Sequence, residues 1–133
     1  MDQATRHFVR QRAGDRCEYC RLRQEHESSC PLHIDHVIAL KHQGTSDTDN
    51  LALACGVCNR AKGTNVAGID PDSGELTRLF HPRRDRWEDH FQREGSLILG
   101  RTAIGRTTVW VLQMNIEPRV ELRSFLARLG ELD

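Results

Sequence analysis

Two short cysteine pairs, CEYC at residues 17–20 and CGVC at residues 55–58, constrain this chain more than any other feature. A two-residue gap lets both sulfurs of a pair reach one ion, and four thiolates close a tetrahedral shell around zinc. Cys17, Cys20, Cys55 and Cys58 are therefore expected to hold a structural zinc ion. The 34 intervening residues, 21–54, exceed the usual short finger, so the metal clips a loop large enough to hold a substructure. Closing such a loop stabilises a short chain. A redox dithiol would want one pair near a βαβ pattern, and a disulfide would want a secreted chain; neither context is present. Cys30, just before Pro31, has no partner at ligand spacing and reads as a free loop thiol.

Local patterns place these pairs on elements. Residues 3–13, QATRHFVRQRA, lack strand alternation and run into Gly14 and Asp15, which predicts a short helix stopped before the first pair. Residues 32–40 are rich in Ile, Val and Leu and read as a strand. The run GTSDTDN at 44–50 is turn chemistry. Leu51 and Leu53 alternate with alanines as a second strand, and a helix opens at residues 58–62. Farther on, two turn signals in GIDPDSGELTRLFHP predict a hairpin or a wrapping loop. Trp87 and Phe91 stand four apart, an apolar edge for a short helix. Residues 107–112 fit a strand and residues 104–114 fit a helix equally well. The last segment predicts an amphipathic helix with Leu122, Phe125, Leu126 and Leu129 on one face, Pro118 in its first turn and Gly130 as its stop.

CEYC, then IDHVIAL, then GTSDTDNLALACGVCNRAKG resembles the HNH endonuclease family in its zinc-knuckle form. The resemblance covers residues 14–66 and keeps the family's order and gaps, with thirteen residues between His36 and Asn50 and eight between Asn50 and Asn59. It implies an α+β fold: a small zinc-stapled, treble-clef-like ββα-metal core with an N-terminal helix and a mixed C-terminal extension. The whole chain, 1–133, is then one nuclease domain, with its core at 14–66 and its extension at 67–133. Carried over by position, Asp35 is the carboxylate that binds the catalytic metal, and His36 is the general base. Asn50 ties down the loop and orients that base. Asn59 stands where many relatives have histidine. An amide oxygen is a harder ligand than imidazole, so the resemblance implies magnesium or manganese, with nickel a third candidate.

Strict strand alternation sends Asp35 and His36 to opposite faces, so a shared site calls for a bulge or sharp twist at the strand end. His33 reads as a surface or packing histidine and His42 as a loop residue. Lys41, Arg60 and Lys62 flank the site and are candidate phosphate contacts. Imidazole accepts a water proton near neutral pH, and a divalent ion neutralises charge on the phosphoryl oxygens. Like the family, this points to one-metal hydrolysis that leaves 5′-phosphate and 3′-hydroxyl ends.

Zero net charge argues against nucleic acid until its distribution is considered. Residues 1–23 and 78–106 each carry +3, residues 24–77 carry −5, and 17 of the 19 basic residues are arginine. Guanidinium suits phosphate, so both flanks are candidate phosphate arms. With seven aromatics the core is thin, and zinc supplements it. The polar N-terminus and the lack of a long apolar run predict a cytoplasmic protein with no membrane partner. The expected substrate is DNA, with RNA the weaker alternative; a non-catalytic zinc module that binds nucleic acid or protein is the competing reading.

Overall fold

Asp2 sits in extended backbone and its carboxylate accepts from the Thr5 amide at 2.8 Å, which starts α1 (Gln3–Arg12) in the computed structural model. The structure describes residues 1–27 and 30–133. Gly14 and Asp15 both take positive φ, +65° and +53°, so the helix stops where expected and the chain turns into the first cysteine pair. Val9 is the one buried residue of α1. Arg12 donates to the Leu51 carbonyl at 2.8 Å and pins the helix to the strand beneath it.

β1 (His33–His36) pairs antiparallel with β2 (Leu51–Ala54), His36 facing Leu51 and Asp35 facing Ala52. All four residues of β2 are buried. The strand expected over 32–40 is shorter than its apolar composition suggested. Asn50 accounts for this, because its side chain accepts from the Ile38 amide at 2.9 Å and donates to the Ile38 carbonyl at 3.0 Å. Those backbone groups are thereby removed from any ladder, and the chain turns into a loop. No bulge forms either: Asp35 and His36 pair one to one with their β2 partners, so Asp35 points inward and His36 outward.

α2 (Gly56–Lys62) begins two residues before the expected 58–62, with Cys55 as its cap. β1, β2 and α2 together form a ββα unit, and the small α+β fold has a helix at each end.

In the extension, β3 (Ala67–Ile69) and β4 (Leu76–Arg78) form the hairpin that the turn signals allowed. The helix expected at Trp87 and Phe91 is a single turn, α3 (Trp87–His90), because Phe91 starts β5 (Phe91–Glu94), paired with β6 (Leu97–Gly100). The two-residue Gly95-Ser96 turn, with Gly95 at φ +61°, closes this hairpin. The rings still pack, Trp87 to Phe91 at 5.2 Å and Phe80 to Phe91 at 5.1 Å between centroids. Of the two readings for 104–114 the helix is realised, as α4 (Ala103–Val111), capped by the Thr102 hydroxyl accepting from the Gly105 amide.

α5 (Glu117–Arg128) has Pro118 in its first turn and Gly130 just past its end, as expected, and Leu122 and Leu126 of the expected face pack on the core, but the buried face is rotated toward the arginines. Arg119, Arg123 and Leu126 point inward, whereas Phe125 and Leu129 are about half exposed, at 51% and 54%. Hydrophobic periodicity finds Leu122 and Leu126 but misses Arg119 and Arg123, because sulfur and backbone oxygen beneath this helix demand donors. Among the described residues, no helix is long and apolar enough to cross a membrane.

The tightest backbone approach in the extension lies at Gly105, where a Cβ would stand 1.9 Å from the His90 carbonyl oxygen. Gly105→Ala is expected to push α4 off the end of α3 and to cost about 3 kcal/mol, the upper range for forced overpacking, as measured by chemical denaturation.

Candidate active site and metal centre

Four sulfurs, of Cys17, Cys20, Cys55 and Cys58, lie within 4.8 Å of one another, all buried. Cys20 Sγ and Cys55 Sγ are 3.6 Å apart, far too long for a disulfide and close to the edge of about 3.8 Å that a tetrahedron of 2.3 Å zinc–sulfur bonds requires. Each pair also has its own knuckle geometry. The Cys20 amide approaches Cys17 Sγ at 3.4 Å, and the Cys58 amide approaches Cys55 Sγ at 3.5 Å. The donor set fits zinc, and the cluster supports a structural zinc site. Cys30 stands apart as an exposed free thiol.

Burial pushes the Cys17 thiol well above its ordinary value, so thiolate here requires cations close by. Arg119 supplies one. Its Nη2 donates to Cys55 Sγ at 2.7 Å, and no carboxylate among the described residues pairs with it. The Cys55 thiol is held far below its usual range, first by its sulfur contact with Cys17 and also by the Arg119 charge. Four thiolates around zinc carry two net negative charges, which explains why a guanidinium is buried on α5 at this point. Arg123, one turn later, donates to the Ser96 and Met114 carbonyls at 2.6 Å and 2.8 Å.

Zinc-site geometry passes directly into the candidate catalytic residues. Tyr19, inside the first knuckle, donates to Asp35 Oδ2 at 2.7 Å. Lys62, on the helix capped by the second knuckle, lies 3.3 Å from Asp35 Oδ1 and 3.2 Å from Oδ2, and donates to the His36 carbonyl at 3.1 Å. Burial pushes the Asp35 carboxyl up, while the Lys62 ammonium and the Tyr19 hydroxyl oppose that shift. Lys62 is therefore no phosphate contact. It is 1% exposed and serves as the interior counter-charge of Asp35.

The other expected residues separate by depth. Asp35, His36, Lys41 and Asn59 line one open depression of about 310 Å³, so the sheet end brings both strand neighbours to a common site without a bulge. His36 and Asn59 also line a second cleft, of about 510 Å³, that runs toward α1. Asn50 lies beneath the loop, where besides its two bonds to Ile38 it donates to the Thr45 carbonyl at 2.7 Å. Gly44 completes that loop, since a Cβ there would fall 1.7 Å from the Ile38 carbonyl oxygen. Arg60 is exposed and lies with His33 beside Gly56, away from the depression. His42 is exposed as expected.

Three residues in this architecture escaped sequence reasoning. Ser46 meets His36 Nε2 at 3.0 Å, yet a serine inside GTSDTDN reads only as turn chemistry. Tyr19 offered a faint signal, being the chain's only tyrosine and lying between two ligands. Arg119 offered none, because an arginine on an amphipathic helix ordinarily faces solvent.

Cys55→Ser is expected to lower zinc stoichiometry and melting temperature together, as read by metal analysis and calorimetry; unchanged values would remove the zinc site. Arg119→Met should weaken zinc retention about tenfold or more against a chromophoric chelator, the usual cost of losing a partner just outside the ligand shell.

Residues 17–65 match the family model described as HNH endonuclease, a span that includes both cysteine pairs and Asp35, His36, Asn50 and Asn59. No curated protein and no solved structure matches the chain. The family match coincides with the ββα unit and the four-sulfur cluster, so this stretch of the chain is similar to the HNH endonucleases, a nuclease-type family.

Proposed function

We propose that this protein is a metal-dependent endonuclease that hydrolyses phosphodiester bonds in DNA, with His36 as its general base. The observation that carries this reading is the common depression lined by Asp35, His36 and Asn59, open to solvent above a zinc-pinned helix. A non-catalytic module needs only the cysteines.

His36 Nε2 shares a hydrogen with the Ser46 hydroxyl. With the proton on Nε2, the neutral ring presents Nδ1 as the acceptor for a water proton. Lys62 fixes the His36 backbone through its carbonyl, and Asn50 holds the loop that carries Ser46 through Thr45. The base is thus oriented from both sides. As the water loses its proton to Nδ1, its oxygen bonds to phosphorus and the bond to the 3′ oxygen breaks. The products are a 5′-phosphate and a 3′-hydroxyl, the latter taking up a proton.

Asp35 and Asn59 offer two oxygen donors, a set that fits a hard divalent ion such as magnesium or manganese. Such an ion, when bound, neutralises charge on the phosphoryl and departing oxygens. Tyr19 and Lys62 orient the Asp35 carboxylate and leave it lone pairs to share. The structural zinc takes no part in the chemistry.

Cleavage of supercoiled plasmid by wild type and His36→Ala, with magnesium, manganese, nickel or excess chelator, tests the assignment. Nicking that requires metal and falls at least about a hundredfold in His36→Ala, with zinc content unchanged, is the expected outcome. Full activity in the variant would remove His36 as base. No cleavage with any metal would leave the non-catalytic module.

A further inference from the structure

The arginines of this chain divide into those already engaged and those left open, and the division is spatial. Of the six arginines in residues 1–23, Arg16 and Arg23 pair with Asp133, Arg21 pairs with Glu88, and Arg12 is bound to the Leu51 carbonyl. Arg6 and Arg10 remain, with no side-chain hydrogen bond or ion pair among the described residues. The second basic flank is partly consumed as well, since Arg78, Arg83 and Arg106 pair with Asp85, Glu18 and Asp70.

Arg6 and Arg10 do not simply face bulk solvent. Both line the cleft of about 510 Å³ whose other wall carries His33, His36 and Asn59. No carboxylate side chain lines this cleft among the described residues. Asp2, the acid nearest on α1, spends its carboxylate on the helix cap. Arg6 and Arg10 are four residues apart, so they stand on one face of α1 with a rise of about 6 Å between them. A groove with one sign of charge, walled by arginine and imidazole and ending at the proposed base, has the chemistry of a polyanion seat.

We propose that Arg6 and Arg10 of α1, with His33 opposite, form a track that grips the phosphodiester backbone of the DNA strand entering the active site. This rests on reading the site as a nuclease. Contacts along the track are to phosphate, so they set register and affinity and carry no base preference. They add to transition-state geometry only by holding the strand over His36.

The test uses the full chain in a His36→Ala background, so that DNA stays intact, with Arg6→Gln/Arg10→Gln added. Among the described residues neither side chain has a hydrogen-bond or ion-pair partner to lose, and circular dichroism would verify the fold. Fluorescence anisotropy of a labelled DNA duplex, from low to moderate salt, gives the dependence of log K on log salt. Each lost phosphate contact removes about 0.9 from that slope, so the double variant should be shallower by about 2 and bind about tenfold or more weakly at low salt. Arg86→Gln/Arg101→Gln makes the same charge change outside the cleft and should shift the slope far less. An unchanged slope in Arg6→Gln/Arg10→Gln, or an equal drop in the control pair, would overturn the track. Plasmid nicking by the otherwise wild-type chain separates the two readings. If wild type cuts and the slope does not move, the track alone fails; if the slope moves but wild type never cuts, the track stands as a DNA-binding surface and the nuclease fails. Absence of any DNA binding overturns both.

Discussion

Everything in this molecule depends on bringing four cysteine sulfurs, from two segments far apart in sequence, within 4.8 Å of one another. Thiolates do not gather in a buried space unaided, because burial and mutual repulsion both oppose their charge. A zinc ion reverses that balance, and its binding energy then becomes folding energy for a chain with few aromatic residues. Three neighbouring features take their position from this point. Tyr19 lies inside one knuckle and holds Asp35, and Cys55 of the other caps α2, which carries Asn59 and Lys62. Arg119 docks the last helix on Cys55.

Charge inside the protein is organised in the same way as at its metal. Asp35 and Lys62 form a buried pair, completed by the Tyr19 hydroxyl and the His36 carbonyl, so each polar atom has a partner. Removing one member would strand the other in a low-dielectric interior, which makes such a pair a positioning device more than a source of stability. Its effect is to lock the end of β1 to α2. The imidazole of His36 and the amide of Asn59 then meet at the same depression, although the two residues belong to different elements.

Much of this was legible in the sequence, and the failures share a physical cause. The cysteine spacing, the first helix, the GTSDTDN turn and the ββα order all rest on local chemistry, and all appear in the structure. Strand length failed at Ile38 because a side chain twelve residues away, that of Asn50, competes for its backbone groups. Phe91 fits a helical edge as well as a strand, and the short Gly95-Ser96 turn decides between them. Lys62 reads as a phosphate contact and Arg119 carries no signal at all, since sequence shows a charge but not the carboxylate or thiolate waiting for it. Ser46 was invisible for a related reason, its role being defined only once the loop folds over His36.

Amide hydrogen exchange, followed on the zinc-loaded protein and again after zinc is stripped to zero stoichiometry, tests this organisation most directly. A zinc-held frame predicts that β1, α2 and α5 lose protection together, α5 included because Arg119 loses its counter-charge when the thiolates take up protons. Undiminished protection across β1 and α2 in zinc-free protein would contradict it, and would mean that the candidate active site is held by packing alone.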